Sequence, residues 1–144
     1  MFPQLIEKGR CVFHDRFDTW EDAVTAACQP LLKDGTVEQS YIDLIIHNIK
    51  ELGPYIVIAP NLCIPHAQEG AGVHDTAISF MKTEEPVHFS DSPEHDAKLF
   101  FVLASVDNDA HLQNLQELVE LVSDETIFDK LLAARSIADL NDIP

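Results

Sequence analysis

Positive charge is scarce in this chain: nine Lys and Arg stand against 25 Asp and Glu, for a formal charge of -16. Surfaces that hold DNA, RNA or anionic lipid are built from clustered Lys and Arg, so those partners are disfavoured. A solvated acidic surface and partners with a basic face are expected instead. Cysteine is also scarce. Cys11, Cys28 and Cys63 are odd in number and make no Cys-x-x-Cys pair. That argues against a disulfide scaffold and for a reducing compartment. The strongest apolar run, residues 99–104, is far too short to span a bilayer. The first ten residues lack the apolar core of a signal peptide. The expectation is a soluble, cytoplasmic protein with no direct membrane insertion.

Against these absences stands an ordinary globular share of apolar residues, 46% of 144. A chain of this length buries about two-thirds of its unfolded surface, enough for a core without staples, and one domain over residues 1–144 is expected. Cys11-Val12-Phe13 reads as a short edge strand. Asp18-Thr19-Trp20-Glu21 reads as a capping box with Asp18 as N-cap, and Trp20, Ala23, Val24, Ala27 and Leu31 follow at helical spacing. That helix should stop near Asp34-Gly35. A second helix is predicted over residues 37–52, with Ile42, Ile45, Ile46, Ile49 and Leu52 inward, ended by Gly53-Pro54. Residues 55–59 read as a buried strand and residues 62–66 as a shorter extended piece between prolines. Residues 68–75, with Gly70 and Gly72, read as a loop. Strands are predicted over 76–82 and 87–89, separated by a turn at Thr83-Glu84-Glu85-Pro86. Residues 99–104, apolar on both faces, are the best central strand. Asp107-Asn108-Asp109 offers N-caps for a helix with Leu112, Leu115, Leu118, Val119 and Val122 on one side. Shorter helices should start after Asp124 and at Ser136, the last with Ile137 and Leu140 inward. The order implies an α/β fold: a mixed parallel and antiparallel sheet of about five strands with helices on both faces.

Seven histidines are the obvious chemical resource: His14, His47, His66, His74, His88, His95 and His111. Cys63-x-x-His66 with His74 nearby resembles part of a zinc ligand set, but no second cysteine-containing pair completes it. A Cys63–His66 nucleophile pair is poorer still, because residues three apart on an extended loop do not converge. His66 offers a third chemistry, as a phosphoryl acceptor. Neutral imidazole is a good nucleophile at pH 7 provided one ring nitrogen is reachable and the proton on the other is held. Pro65 stiffens the chain just before it. His111, in the first turn of the helix after Asp109, reads first as a capping or half-packed histidine. The alternative is a donor to a phosphoryl oxygen. Lys50, near a helix C-terminus, either complements the helix dipole or faces an anion.

Gly53-Pro54-Tyr55, Ile58-Ala59-Pro60 and Ile64-Pro65-His66-Ala67 together resemble the active-site segment of enzyme IIA proteins of the bacterial phosphotransferase system (PTS). The mannitol/fructose-type branch is meant, with its ascorbate- and galactitol-like members nearest. Trp20-Glu21-Asp22-Ala23, Pro30-Leu31, Gly72-Val73, Val87-His88-Phe89 and Asp107-Asn108-Asp109-Ala110-His111-Leu112 fall where that family has its other motifs. The resemblance implies a phosphotransferase. His66 would accept a phosphoryl group from phospho-HPr as tele-phosphohistidine and pass it to a cysteine of enzyme IIB, for uptake of ascorbate or a related carbohydrate. His111 would stabilise the phosphorylated state, and no cofactor or metal is implied. Lys50 and Gln68 are the candidate anion contacts. Gln68 stands where ascorbate-type members often carry arginine, and Lys50 where the mannitol branch has one. Asn61 replaces a common glycine, Cys63 an alanine-like residue, and Pro60 the mannitol branch's glutamate. Two alternatives stay open: a regulatory phosphoprotein binding a kinase or transcription regulator, and a non-catalytic metal-binding domain.

Overall fold

The computed structural model describes residues 1–68 and 71–144; the Gly70 part of the predicted 68–75 loop lies outside them. Helix α1 (Phe2–Glu7) leads into β1 (Cys11–His14), α2 (Trp20–Lys33) and α3 (Gln39–Leu52). A tight hairpin, β2 (Val57–Ala59) and β3 (Asn61–Cys63), precedes the long strands β4 (Ala77–His88) and β5 (Asp96–Ala104). Helices α4 (Asn108–Val122) and α5 (Glu125–Ala133) follow, and a 3-10 turn at Ile137–Leu140 ends the chain.

The five strands form one mixed sheet in the order β1-β4-β5-β3-β2. β1 runs parallel to β4, β4 antiparallel to β5, β5 parallel to β3, and β3 antiparallel to β2. The central position of β5 explains its sequence. Phe100, Val102 and Ala104 pack in one core with Ala23, Val24, Ala27 and Leu31 of α2 and Ile42, Ile45 and Ile49 of α3. Leu99, Phe101 and Leu103 face the other core, with Phe2 of α1, Leu118 of α4 and Leu131 of α5. Over residues 99–104 the strand is covered on both faces, which leaves no side for polar residues there. On the second face Phe2 sets its ring edge-on to Phe80 and Phe101, with centroids 5.1 and 6.0 Å apart.

Several expectations need correcting. Helix α1 had no sequence signal, since six residues are too few to show a period. The N-cap of α2 is Thr19, whose hydroxyl accepts from the Asp22 amide at 3.2 Å, so the helix begins one residue later than the Asp18 reading. Helix α3 begins at Gln39, because Val37 is drawn into a bridge with Val73. Leu52, its last residue, is 72% exposed: helical spacing marks a face but not how far the core runs along it. The predicted buried strand at 55–59 is only the three-residue edge strand β2, with Ile58 48% exposed. The predicted turn at 83–86 is part of β4, which continues to His88 through a register shift. Leu112 is 60% exposed and Val119 is exposed too, so α4 turns only Leu118 fully inward. The final predicted helix is one 3-10 turn with both legs of its capping box present; Leu140 is buried but Ile137 is exposed.

Candidate active site

Residues 64–67 leave the end of β3 and cross the C-terminal end of β5. The hairpin before them turns at Asn61, the one non-glycine residue with positive φ (67°) among the described residues. Asparagine accepts that left-handed conformation better than most other non-glycine residues. Backbone bonds then lace the segment down. The Ile64 amide donates to Ile56 O at 2.8 Å, and the Leu103 amide of β5 donates to Pro65 O at 3.1 Å. Two tyrosines complete the frame. Tyr41 of α3, fully buried, donates its hydroxyl to Leu103 O at 2.6 Å and accepts the Ala67 amide at 3.1 Å. Tyr55 donates its hydroxyl to His66 O and sets its ring edge-on to the imidazole, centroids 5.4 Å apart.

His66 is half-buried, and its Nδ1 lies 2.5 Å from Ile64 O. A carbonyl oxygen only accepts, so the proton sits on Nδ1 and the lone pair on Nε2. His111 occupies the first turn of α4, where Asp107 caps the helix by accepting the Ala110 amide at 2.8 Å. Its ring centroid is 5.5 Å from that of His66, the planes tilted by 39°. Behind it the hydroxyl of buried Ser105 lies 3.4 Å from His111 Nδ1. The tertiary fold thus brings two imidazoles, 45 residues apart in the chain, side by side at the end of the central strand. Such a pair offers one tautomer-fixed nucleophilic nitrogen and a neighbouring group able to donate a hydrogen bond.

Lys50, in the last turn of α3, has its ammonium 4.0 Å from Glu21 of α2, and both side chains are solvent-exposed. Gln68 is exposed beside residues 69–70. Cys63 lies fully buried in the α2/α3 core, where desolvation pushes its thiol well above the ordinary range; Cys11 and Cys28 are likewise pushed up to about 12. Burial therefore removes all three as nucleophiles. His74 pairs with Glu38 at 3.3 Å, so Cys63, His66 and His74 do not share a centre. Among the described residues no three His, Cys, Asp or Glu side chains are placed to hold a metal ion. His14 packs on Phe17, His88 bonds Asp96 at 2.7 Å, and Ser90 bonds His95 at 2.7 Å. His47 is exposed on α3, and no described helix is long and apolar enough to cross a membrane.

Sequence reasoning missed Tyr41, Tyr55 and Ser105. Tyr41 sits at the edge of an isoleucine stripe and reads as core. The available signal was rarity: the chain has two tyrosines, and both hydroxyls bind the segment that carries His66. Burial raises the pKa of Tyr55, against a weaker opposing hydrogen bond from Asn48, so its hydroxyl keeps the proton it donates.

Residues 4–143 match the family model described as "Phosphoenolpyruvate-dependent sugar phosphotransferase system, EIIA 2". The chain is 32% identical over 127 residues to the ascorbate-specific PTS system EIIA component of Shigella dysenteriae, covering 88% of this chain and 82% of that one. It is 31% identical over 140 residues to the protein of the same description from Salmonella typhimurium, covering 96% and 91%. Among solved structures, the mannitol-specific cryptic phosphotransferase enzyme IIA of Escherichia coli superposes with a TM-score of 0.84 at 32% identity. That match covers 94% of this chain and 91% of that one.

Proposed function

The chain belongs to the EIIA 2 family of the phosphoenolpyruvate-dependent sugar phosphotransferase system, and from that premise we propose that His66 is its phosphoryl acceptor and His111 the group that steadies the phosphorylated state. The Nε2 lone pair of His66 attacks the phosphorus of phospho-HPr. The Nε2–P bond forms as the donor's N–P bond breaks, and the donor imidazole leaves. The Nδ1 proton stays on His66 throughout, shared with Ile64 O, which stabilises the positive charge that develops on the ring. A cysteine thiolate of enzyme IIB then attacks the same phosphorus. An S–P bond forms, the Nε2–P bond breaks, and the imidazole returns neutral. Such transfers run through a loose, metaphosphate-like transition state, so positioning and charge stabilisation carry most of the catalysis. His111 donates a hydrogen bond to a phosphoryl oxygen. In a chain of net charge -16, that donor matters more than usual.

The observation that carries this reading is the Nδ1–H bond to Ile64 O beside a second imidazole. The substrate class is ascorbate or a related carbohydrate, after the curated relatives. Incubation with enzyme I, HPr and labelled phosphoenolpyruvate should add one acid-labile phosphate per chain. His66→Ala should take none; equal labelling of that variant removes the reading. His111→Ala should still be labelled but transfer about 10- to 100-fold more slowly, the worth of one hydrogen bond to a charged group. Unchanged kinetics would make His111 structural. Presenting the phosphorylated protein to ascorbate-type and mannitol-type enzyme IIB separates the two acceptors.

A further inference from the structure

The peptide unit joining His66 to Ala67 is held at both poles by tyrosine hydroxyls. Tyr55 donates to its carbonyl oxygen, and Tyr41 accepts from its amide at 3.1 Å. The C=O and N–H of a trans peptide point in opposite directions, so the two contacts approach from opposite sides and block rotation of the plane. We propose that Tyr41 and Tyr55 form a clamp that positions the His66 imidazole for transfer, an inference that rests on His66 being the acceptor.

The clamp reaches further than one peptide. The Tyr41 hydroxyl also donates to Leu103 O at 2.6 Å, and the Leu103 amide donates to Pro65 O at 3.1 Å. Residue 103 of the central strand is therefore tied to the segment on both sides of His66. Two residues further along is Ser105, whose hydroxyl lies 3.4 Å from His111 Nδ1. The separation of the two imidazoles, 5.5 Å between centroids, is set through this path. Tyr55 adds a second constraint, because its ring edge meets the imidazole as its hydroxyl meets the carbonyl. Because positioning carries most of such a transfer, a displacement of about 1 Å can cost on the order of 100-fold.

A purely structural role makes a different prediction. If the tyrosines only satisfied buried backbone groups, losing a hydroxyl would lower the melting temperature and leave transfer untouched. Tyr55→Phe is the cleaner variant, because the residue is half-buried and the ring contact survives; Tyr41→Phe is the deeper one. Full-length wild type, both variants, the double variant and His66→Ala are compared by rapid-quench transfer from phospho-HPr over a range of donor concentrations. The lifetime of the phosphorylated form and the ring-nitrogen chemical shifts of His66 are measured in parallel. Tyr55→Phe should keep its KM within about twofold and lose roughly fivefold in kcat, the worth of one neutral hydrogen bond. Its His66 nitrogen shifts should move from a single Nδ1–H tautomer towards a mixture. The double variant should depart from the product of the single losses, because both hydroxyls act on one peptide unit. Wild-type kcat, lifetime and nitrogen shifts in both single variants, with only the melting temperature lowered, overturn the clamp. A wild type that takes no label, or a His66→Ala protein that does, overturns the acceptor assignment instead, and the nitrogen shifts then decide the clamp by themselves.

Discussion

Gly72→Ala tests how the segment after His66 is anchored to residues 36–38, which lead into α3. Three backbone contacts lace the two together: the Glu38 amide to Gly72 O at 2.9 Å, the His74 amide to Thr36 O at 2.8 Å, and the bridge between Val37 and Val73. Gly72 has φ +70°, and a Cβ built there would stand 2.7 Å from Ser40 Oγ, 3.1 Å from the Tyr41 amide nitrogen and 3.3 Å from Tyr41 Cβ. The left-handed conformation costs alanine about 1–2 kcal/mol, of which the stiffer unfolded chain returns about 0.5–1 kcal/mol. Ser40 is exposed and its hydroxyl can turn away, but the Tyr41 backbone cannot. That overpacking adds about 1 kcal/mol or more. The net loss is about 2 kcal/mol, or roughly 6–8 °C in melting temperature for a chain of this size. Gly35 is the internal control: its φ is +80°, yet an added Cβ meets nothing within 4 Å. Gly35→Ala should therefore lose only the conformational part, about 1 kcal/mol or less. Calorimetry and urea unfolding of both variants measure the difference. Equal melting temperatures would refute the steric argument, and with it the claim that this segment rests on the Tyr41 backbone.

Two further outcomes bear on smaller features. Thr19→Ala should cost about 1 kcal/mol in urea unfolding and Asp18→Ala close to nothing, because the hydroxyl of Thr19 accepts the Asp22 amide; the reverse order would restore Asp18 as the cap. Asp34 is the second case. Burial raises its pKa, but the hydroxyl and amide of Thr36 and the Arg10 guanidinium outweigh that and hold it below 3.8. Its contribution is therefore fully present above about pH 3.8 and is lost as pH falls through the lower folded value. Asp34→Asn should destabilise by about 1 kcal/mol at pH 7, a figure kept small by the partial exposure of the carboxylate. The gap from wild type should close below pH 3.8; a gap independent of pH would rule out the ionised carboxylate as its source.

Legibility in the sequence followed periodicity. The long amphipathic stretches of α2 and α3 and the two-faced apolar run of β5 were readable because many residues repeat one preference. The elements misread were those with too few residues for a period to show, as in α1 and β2, or those decided by a partner distant in sequence. Thr83-Glu84-Glu85-Pro86 has turn composition, yet β4 runs through it alongside β5 and absorbs the irregularity as a register shift. Leu112 and Val119 fall on a helical stripe, but α4 turns only Leu118 fully inward.

The amino-acid sequence alone determined the sheet-and-helix plan and the lack of a Cys-x-x-Cys pair, and it marked His66 among seven histidines as the candidate acceptor. Apolar spacing and breaker residues suffice for the plan, and a proline-stiffened segment that delivers one imidazole draws attention to His66, whose candidate role came from the family resemblance. The tautomer of His66, the 5.5 Å approach of His111, and the convergence of both tyrosines on one peptide unit were decided only by the tertiary structure. Each is a contact between groups from separate elements or across a turn, and their distance depends on how α3, β5 and α4 pack around the end of the sheet. No spacing within the chain encodes that distance.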